Sequence, residues 1–171
     1  MLARSVPCLC LLLIATIPPV VAAEPLPRGN CAQPLPRTDL AHCDFSRRKL
    51  AGRDLQGVRL AGAKLESADL RKANLNGADL SRSNAKWALF TGASLKGADL
   101  HDADLFHAIF DEADLSGARL VGAYLFGANL IDARAAKADF TGAYLKDVLM
   151  EGIDLSGGSI RNCYTFRGVF V

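Results

Sequence analysis

The stretch KANLNGADL, residues 72–80, sets a small residue, an aspartate or asparagine and a leucine in order, then repeats them five residues on. The phase holds far beyond the quotation. From Leu40 to Phe170, leucine or phenylalanine occupies 22 of the 27 positions that are multiples of five. The exceptions are Ala85, Ala135, Met150, Ile160 and Thr165. Two residues before each lies a small-residue slot, alanine in 16 of the 27. An α-helix cannot use this pattern, because five residues at about 100° each carry successive leucines right around its axis. A strand fails as well, since an odd period sends alternate leucines to opposite faces. A four-sided coil succeeds: if each five-residue unit makes one side, every leucine and every small residue points inward. Glycines such as Gly77, Gly97, Gly117 and Gly142 then fall at corners, where positive φ is often required.

These residues resemble the pentapeptide-repeat family, whose pattern A-(D/N)-L-x-x is met almost unit by unit from Ala63 to Asp147. The resemblance implies an all-β fold, a right-handed quadrilateral parallel β-helix. It implies about six to seven coils of 20 residues. At about 4.8 Å per coil the rod would be roughly 30 Å long. Some family members protect DNA gyrase by imitating DNA, so the resemblance also implies that role as one option.

The ends depart from the repeat. Residues 1–23, MLARSVPCLCLLLIATIPPVVAA, read as a signal peptide: Arg4, an apolar run from Val6 to Ile17, a break at Pro18 and Pro19, and small residues before Glu24. An uncleaved anchor is the competing reading, as Val6 to Ala23 is 18 residues without charge. Cleavage after Ala23 is expected, giving a periplasmic or extracellular protein with no stable membrane insertion. Residues 24–37 form a Pro-rich arm expected to be extended and poor in secondary structure. Residues 38–171 form the solenoid, and no proline follows Pro36, as a hydrogen-bonded ladder requires. Arg48 and Arg53 occupy inward slots, so 38–57 is expected to be an imperfect first coil with both arginines reaching its open end. Gly158, Cys163, Thr165 and Gly168 loosen the repeat at the other end, where some closure is needed.

Without residues 1–23 the chain carries 19 basic and 18 acidic side chains, a net charge of +1. That balance argues against nucleic acid as a partner and against a DNA mimic. Cys43 and Cys163 share an inward column six coils apart, about 29 Å at 4.8 Å per coil, beyond disulfide reach. Cys31 and Cys43 are the expected pair, tying the arm over the first coil in an oxidising compartment. Cys163 then stands in for alanine. The most chemical stretch, DLHDADLFHAIFDEADL, holds Asp99, His101, Asp102, Asp104, His107, Asp111 and Glu112. The coil sends His101 and His107 to adjacent sides, so a solvated acidic belt is expected and no metal site. No nucleophile–base pair or phosphate loop is present, and neither enzymatic activity nor a cofactor is expected.

Residues twenty apart stack on one side, so outward residues can be sorted. Sides one to four are those of Leu60, Leu65, Leu70 and Leu75 and their repeats. Of twelve aromatic residues, Phe45, Phe90, Phe110, Phe140 and Phe170 take inward slots. The other seven, Trp87, Phe106, Tyr124, Phe126, Tyr144, Tyr164 and Phe166, all fall on side two. Side three adds Leu89, Ile109, Ile131, Leu149 and Val169. Half-exposed, seven aromatics would present roughly 500–900 Å², more than monomers usually leave in one patch. Three readings follow. The first is protein association through sides two and three, as a homodimer or with an envelope partner. The second is a glycan-binding surface, and the third a stacking ladder that only stabilises neighbouring coils. DNA-mimicking protection of a topoisomerase is the disfavoured fourth.

Overall fold

A computed structural model describes residues 24–165. The signal peptide reading, and Phe166, Val169 and Phe170, lie outside the described residues. From Asp39 to Tyr164 the chain makes parallel bridges at a constant separation of twenty residues: Asp39 to Arg59, Arg59 to Asp79, and so on to Tyr144 with Tyr164. This register defines a right-handed quadrilateral β-helix. Six complete coils, 38–57 through 138–157, are followed by the start of a seventh.

Each five-residue unit distributes its backbone groups in the same way. The Leu60 N–H donates to Asp79 O at 2.6 Å, and the Arg59 N–H donates to Thr38 O at 3.0 Å, so one unit bonds the coil on either side. The Gly62 N–H reaches Ser81 O at 2.8 Å. The Ala63 N–H turns back to Leu60 O at 2.9 Å and closes the corner. Such a corner needs positive φ at its third residue. Twelve described glycines and thirteen other residues adopt it. The expectation from the glycine positions is therefore met, although half the corners use side chains that resist this conformation.

The interior is one column of alanine, leucine and phenylalanine with no exposure to speak of, from Leu40 to Met150. Its volume is balanced locally. Ala85 and Ala135, the two places where alanine replaces an inward leucine, are each followed one unit later by phenylalanine, Phe90 and Phe140. Phe90 and Phe110 stack in successive coils with centroids 4.6 Å apart and planes 2° from parallel.

The first coil differs from its expected form. Its backbone is regular apart from His42, which lacks the positive φ of the other described corners: Leu50 N bonds Asp69 O at 2.7 Å and Leu55 N bonds Asn74 O at 2.8 Å. The side chains of Arg48 and Arg53 depart too, and both are exposed, because a buried unpaired guanidinium would be costly. The arm also does more than expected. Pro27 O accepts from Asp39 N at 2.8 Å and Gly29 N donates to Asp39 O at 2.9 Å, adding a short parallel rung below side one. A Cβ on Gly29 would lie 2.5 Å from Leu40 Cδ2, so the arm can come this close only with glycine there. Pro34, in the same arm, is buried. At the far end Ile153, Leu155 and Cys163 are half-buried against the core, and the Cys163 thiol bonds Phe140 O at 2.9 Å. Burial pushes that thiol's pKa up.

Candidate functional site

The outward slot before each leucine has a backbone task. The side chain of Asp79 accepts the N–H of Ser81 at 3.0 Å and its hydroxyl at 2.6 Å. Asp139 does the same for Thr141 at 2.9 and 2.5 Å, and Asn129 for the N–H of Ile131 at 3.2 Å. Aspartate and asparagine thus satisfy the one N–H per unit that neither the ladder nor the corner uses. These bonds set the acidity. The Thr141 hydroxyl and then its N–H hold Asp139 below the usual carboxylate range. Burial pulls Asp114 upward, but the Ser116 hydroxyl and N–H, Lys96 and Arg134 together hold it low.

Side two uses this device at Asp44, Asn84 and Asp104 and abandons it from Tyr124 on. Tyr124, Tyr144 and Tyr164 occupy the aspartate slot in three successive coils, and a phenol has no acceptor that folds back to the N–H two residues on. Their rings build a continuous column instead. Trp87 meets Phe106 edge-on at 5.2 Å, and Phe106 stacks on Phe126 at 5.5 Å. Tyr124 stacks on Tyr144 at 4.9 Å, and Tyr144 leans on Tyr164 at 6.1 Å. The Lys146 ammonium lies 5.5 Å from the Phe126 ring centroid. Trp87 is 47% exposed, Tyr124 39% and Tyr164 66%, whereas Phe106, Phe126 and Tyr144 are half-buried by their neighbours. The six described aromatics form one network. Phe106 with Phe126 and Tyr124 with Tyr144 are stacked, whereas Trp87 and Tyr164 stand at its two ends. Tyr144, Lys146, Tyr164 and Thr165 line a shallow recess at its end.

His107 belongs to this network, which the sequence reading placed in an acidic belt. Its ring packs edge-on against Phe106 at 4.3 Å and Phe126 at 5.9 Å, and lies parallel to Trp87 at 6.5 Å. The signal was available: His107 stands twenty residues after Trp87, in the same corner column. Gly127 is next in that column, and a Cβ there would lie 2.5 Å from His107 Cε1, so glycine makes room for the imidazole. Trp87 and His107 both sit at positive φ, 53° and 52°, where an L-residue costs about 1–2 kcal/mol.

Side three contributes less than expected. Leu89 and Ile109 bridge each other and are half-buried around the corner from Trp87 and His107. Leu149, 49% exposed, is separated from Ile109 by Asn129, and Ile131 is half-buried. The apolar surface of the coils is therefore centred on side two and its corner, with Leu149 outlying and Leu35 and Ile160 exposed towards the two ends.

His101 and His107 do diverge. His101 Nδ1 lies 2.9 Å from Asp99 Oδ1, and Arg119 reaches the same carboxylate at 3.2 Å. Asp111 is pushed up in pKa by burial and by Glu112 and Asp132, and its Oδ1 is buried without a partner. At the other end Cys31 and Cys43 stand with sulfurs 2.03 Å apart and Cα atoms 5.5 Å apart. Among the described residues no helix is long and apolar enough to cross a membrane.

This geometry is that of a repeat solenoid, and comparison with known proteins agrees. The family model for pentapeptide repeats matches residues 49–92, 86–122 and 118–157, in eight copies. The chain belongs to the pentapeptide-repeat family. Among solved structures it is similar to HetL, a pentapeptide repeat protein involved in heterocyst differentiation regulation in the cyanobacterium Nostoc, with 30% identity over 77% of this chain and 70% of that one, and a TM-score of 0.50. It is also similar to a pentapeptide repeat protein of the Arabidopsis thaliana thylakoid lumen, 36% identical over 58% of this chain and 66% of that one, with a TM-score of 0.38. No curated protein matches the chain.

Proposed function

We propose that the chain is an exported, non-enzymatic solenoid that works by protein association through its aromatic side. Residues 1–23 direct export to the periplasm or beyond and are then removed, and Cys31 and Cys43 are bonded in the mature protein. The observation that carries the reading is the exchange made on side two. Each tyrosine in an aspartate slot forgoes a backbone hydrogen bond worth about 0.5–1.5 kcal/mol. An aromatic pair returns about 0.5–1.5 kcal/mol. Tyr124 and Tyr144 each meet three rings, so the column repays that loss, and it still leaves Trp87 47% and Tyr164 66% exposed. Stacking within the column does not call for that exposure, whereas an interface anchor does.

A second copy of the chain is the favoured partner, since a net charge of +1 opposes self-association hardly at all. Glycan binding is supported less, because sugar rings stack on aromatic faces and four of the six rings stack on one another instead. Sedimentation equilibrium of the mature protein tests the reading. A dimer that becomes monomeric when Trp87 is changed to glycine supports it. A wild-type protein that stays monomeric up to high micromolar concentration removes the homodimer.

A further inference from the structure

We propose that Cys31, His42 and Cys43 form a zinc(II) site that opens when their disulfide is reduced. Their ligand atoms all lie within 4.8 Å of one another. His42 Nε2 stands 3.7 Å from Cys43 Sγ. In a tetrahedral site with Zn–S about 2.3 Å and Zn–N about 2.0–2.1 Å, a sulfur and a nitrogen ligand stand about 3.5 Å apart. The imidazole is therefore already at ligand spacing from one sulfur. The two sulfurs must move from 2.03 Å to about 3.8 Å, a rotation of the cysteine side chains with the backbone unmoved.

The frame that holds the trio is independent of the S–S bond. Cys43 N bonds Leu40 O at 2.9 Å within the first coil, and Pro27 and Gly29 hold the arm to Asp39. His42 occupies a corner slot but does not take the positive φ found at the other described corners from Arg37 to Asn162. Its backbone departs from the coil rule where its ring meets the cysteine. Cys43 is buried, Cys31 half-buried and His42 exposed, so the fourth position faces water. Two thiolates and an imidazole suit zinc, as soft and borderline ligands do. One contact opposes binding. Arg28 Nε donates to the same His42 nitrogen at 3.4 Å and must release it.

Opening the bond takes two electrons and two protons. A phosphine supplies the electrons and becomes the phosphine oxide with oxygen from water, leaving two thiols. Zinc then displaces both thiol protons. Cobalt(II) serves as the visible probe, titrated into mature protein carrying Cys163→Ser, with and without prior phosphine reduction and removal of the phosphine. The reduced protein is expected to take up one cobalt per chain with sulfur-to-cobalt charge-transfer absorption, displaced by zinc, and the oxidised protein none. His42→Ala should weaken binding about tenfold or more, and Arg28→Gln should strengthen it severalfold. Circular dichroism should keep the β-helix signal throughout. The proposal is overturned if the reduced protein binds no more tightly than a Cys31→Ser/Cys43→Ser variant. An unchanged affinity in His42→Ala overturns it too, as does loss of the coil on reduction.

Discussion

Ser83 and Tyr124 show how much one slot can decide. Ser83 stands where alanine usually stands, is fully buried, and its Oγ has no partner. A buried hydroxyl without a bond costs about 1–3 kcal/mol, and alanine differs only by that oxygen. Ser83→Ala should therefore raise stability by about 1 kcal/mol in urea titration, and a loss would show that the hydroxyl has a partner. Tyr124→Asp gives Phe126 N–H the carboxylate that other units supply, so it should be about 0.5–1.5 kcal/mol more stable than Tyr124→Ala, which loses the same ring contacts. The acidic residues set the pH response. Asp69, Asp114, Asp139 and Asp154 have lowered pKa values in the fold. Their contribution is complete above the free carboxylate value near 3.9 and is lost as pH falls through the lower folded values. Asp111 is raised, so its charge works against the fold at neutral pH. Asp111→Asn should raise the melting temperature at pH 7, and the gain should vanish at pH 3, where both side chains are neutral. A gain that persists at pH 3 would refute that origin.

At the scale of the repeating unit, most of the fold was legible. The five-residue period excluded helix and strand, fixed which residues face inward, and sorted the aromatics onto one side. The role of the aspartate slot was not legible, because an alternation of polar and apolar residues reads as a wetted face whether or not the side chain bonds the backbone. Ring orientation was hidden for a related reason. Sequence places Tyr124 and Tyr144 in one column, but only coordinates show their faces against each other. His107 was misplaced because its neighbours in sequence are acidic, while its neighbours in space are twenty residues away. Inward and outward positions can be separated by experiment. Leu125→Ala should cost about 2–5 kcal/mol by leaving a cavity in a core where Leu125 is fully buried. Leu149→Asp, at an outward slot where the leucine is 49% exposed, should stay within about 0.5 kcal/mol of the parent. Equal losses in the two variants would contradict the assignment of sides.

For the whole molecule, the two ends and the one aromatic side are where the rod departs from uniformity. The arm and the Cys31–Cys43 link close the first coil, and in the chain-entropy model a loop of this size contributes about 3 kcal/mol. The aromatic side gains stacking among its own rings, but its exposure brings no such structural return. Its most exposed corner residue, Trp87, holds a conformation that glycine adopts without cost at twelve other described corners. Two effects of Trp87→Gly should therefore have opposite signs. Relief at the corner should stabilise the monomer slightly, by about 0.5 kcal/mol after the lost contact with Phe106 is subtracted from the conformational gain. Removal of the anchor should dissociate the dimer, shifting the sedimentation mass to that of one chain. An internal stacking ladder would give the reverse pattern, with lower stability and unchanged mass. Measuring melting temperature and mass on the same variant separates the two roles, and a Trp87→Gly protein that is less stable and equally associated would end the interface reading.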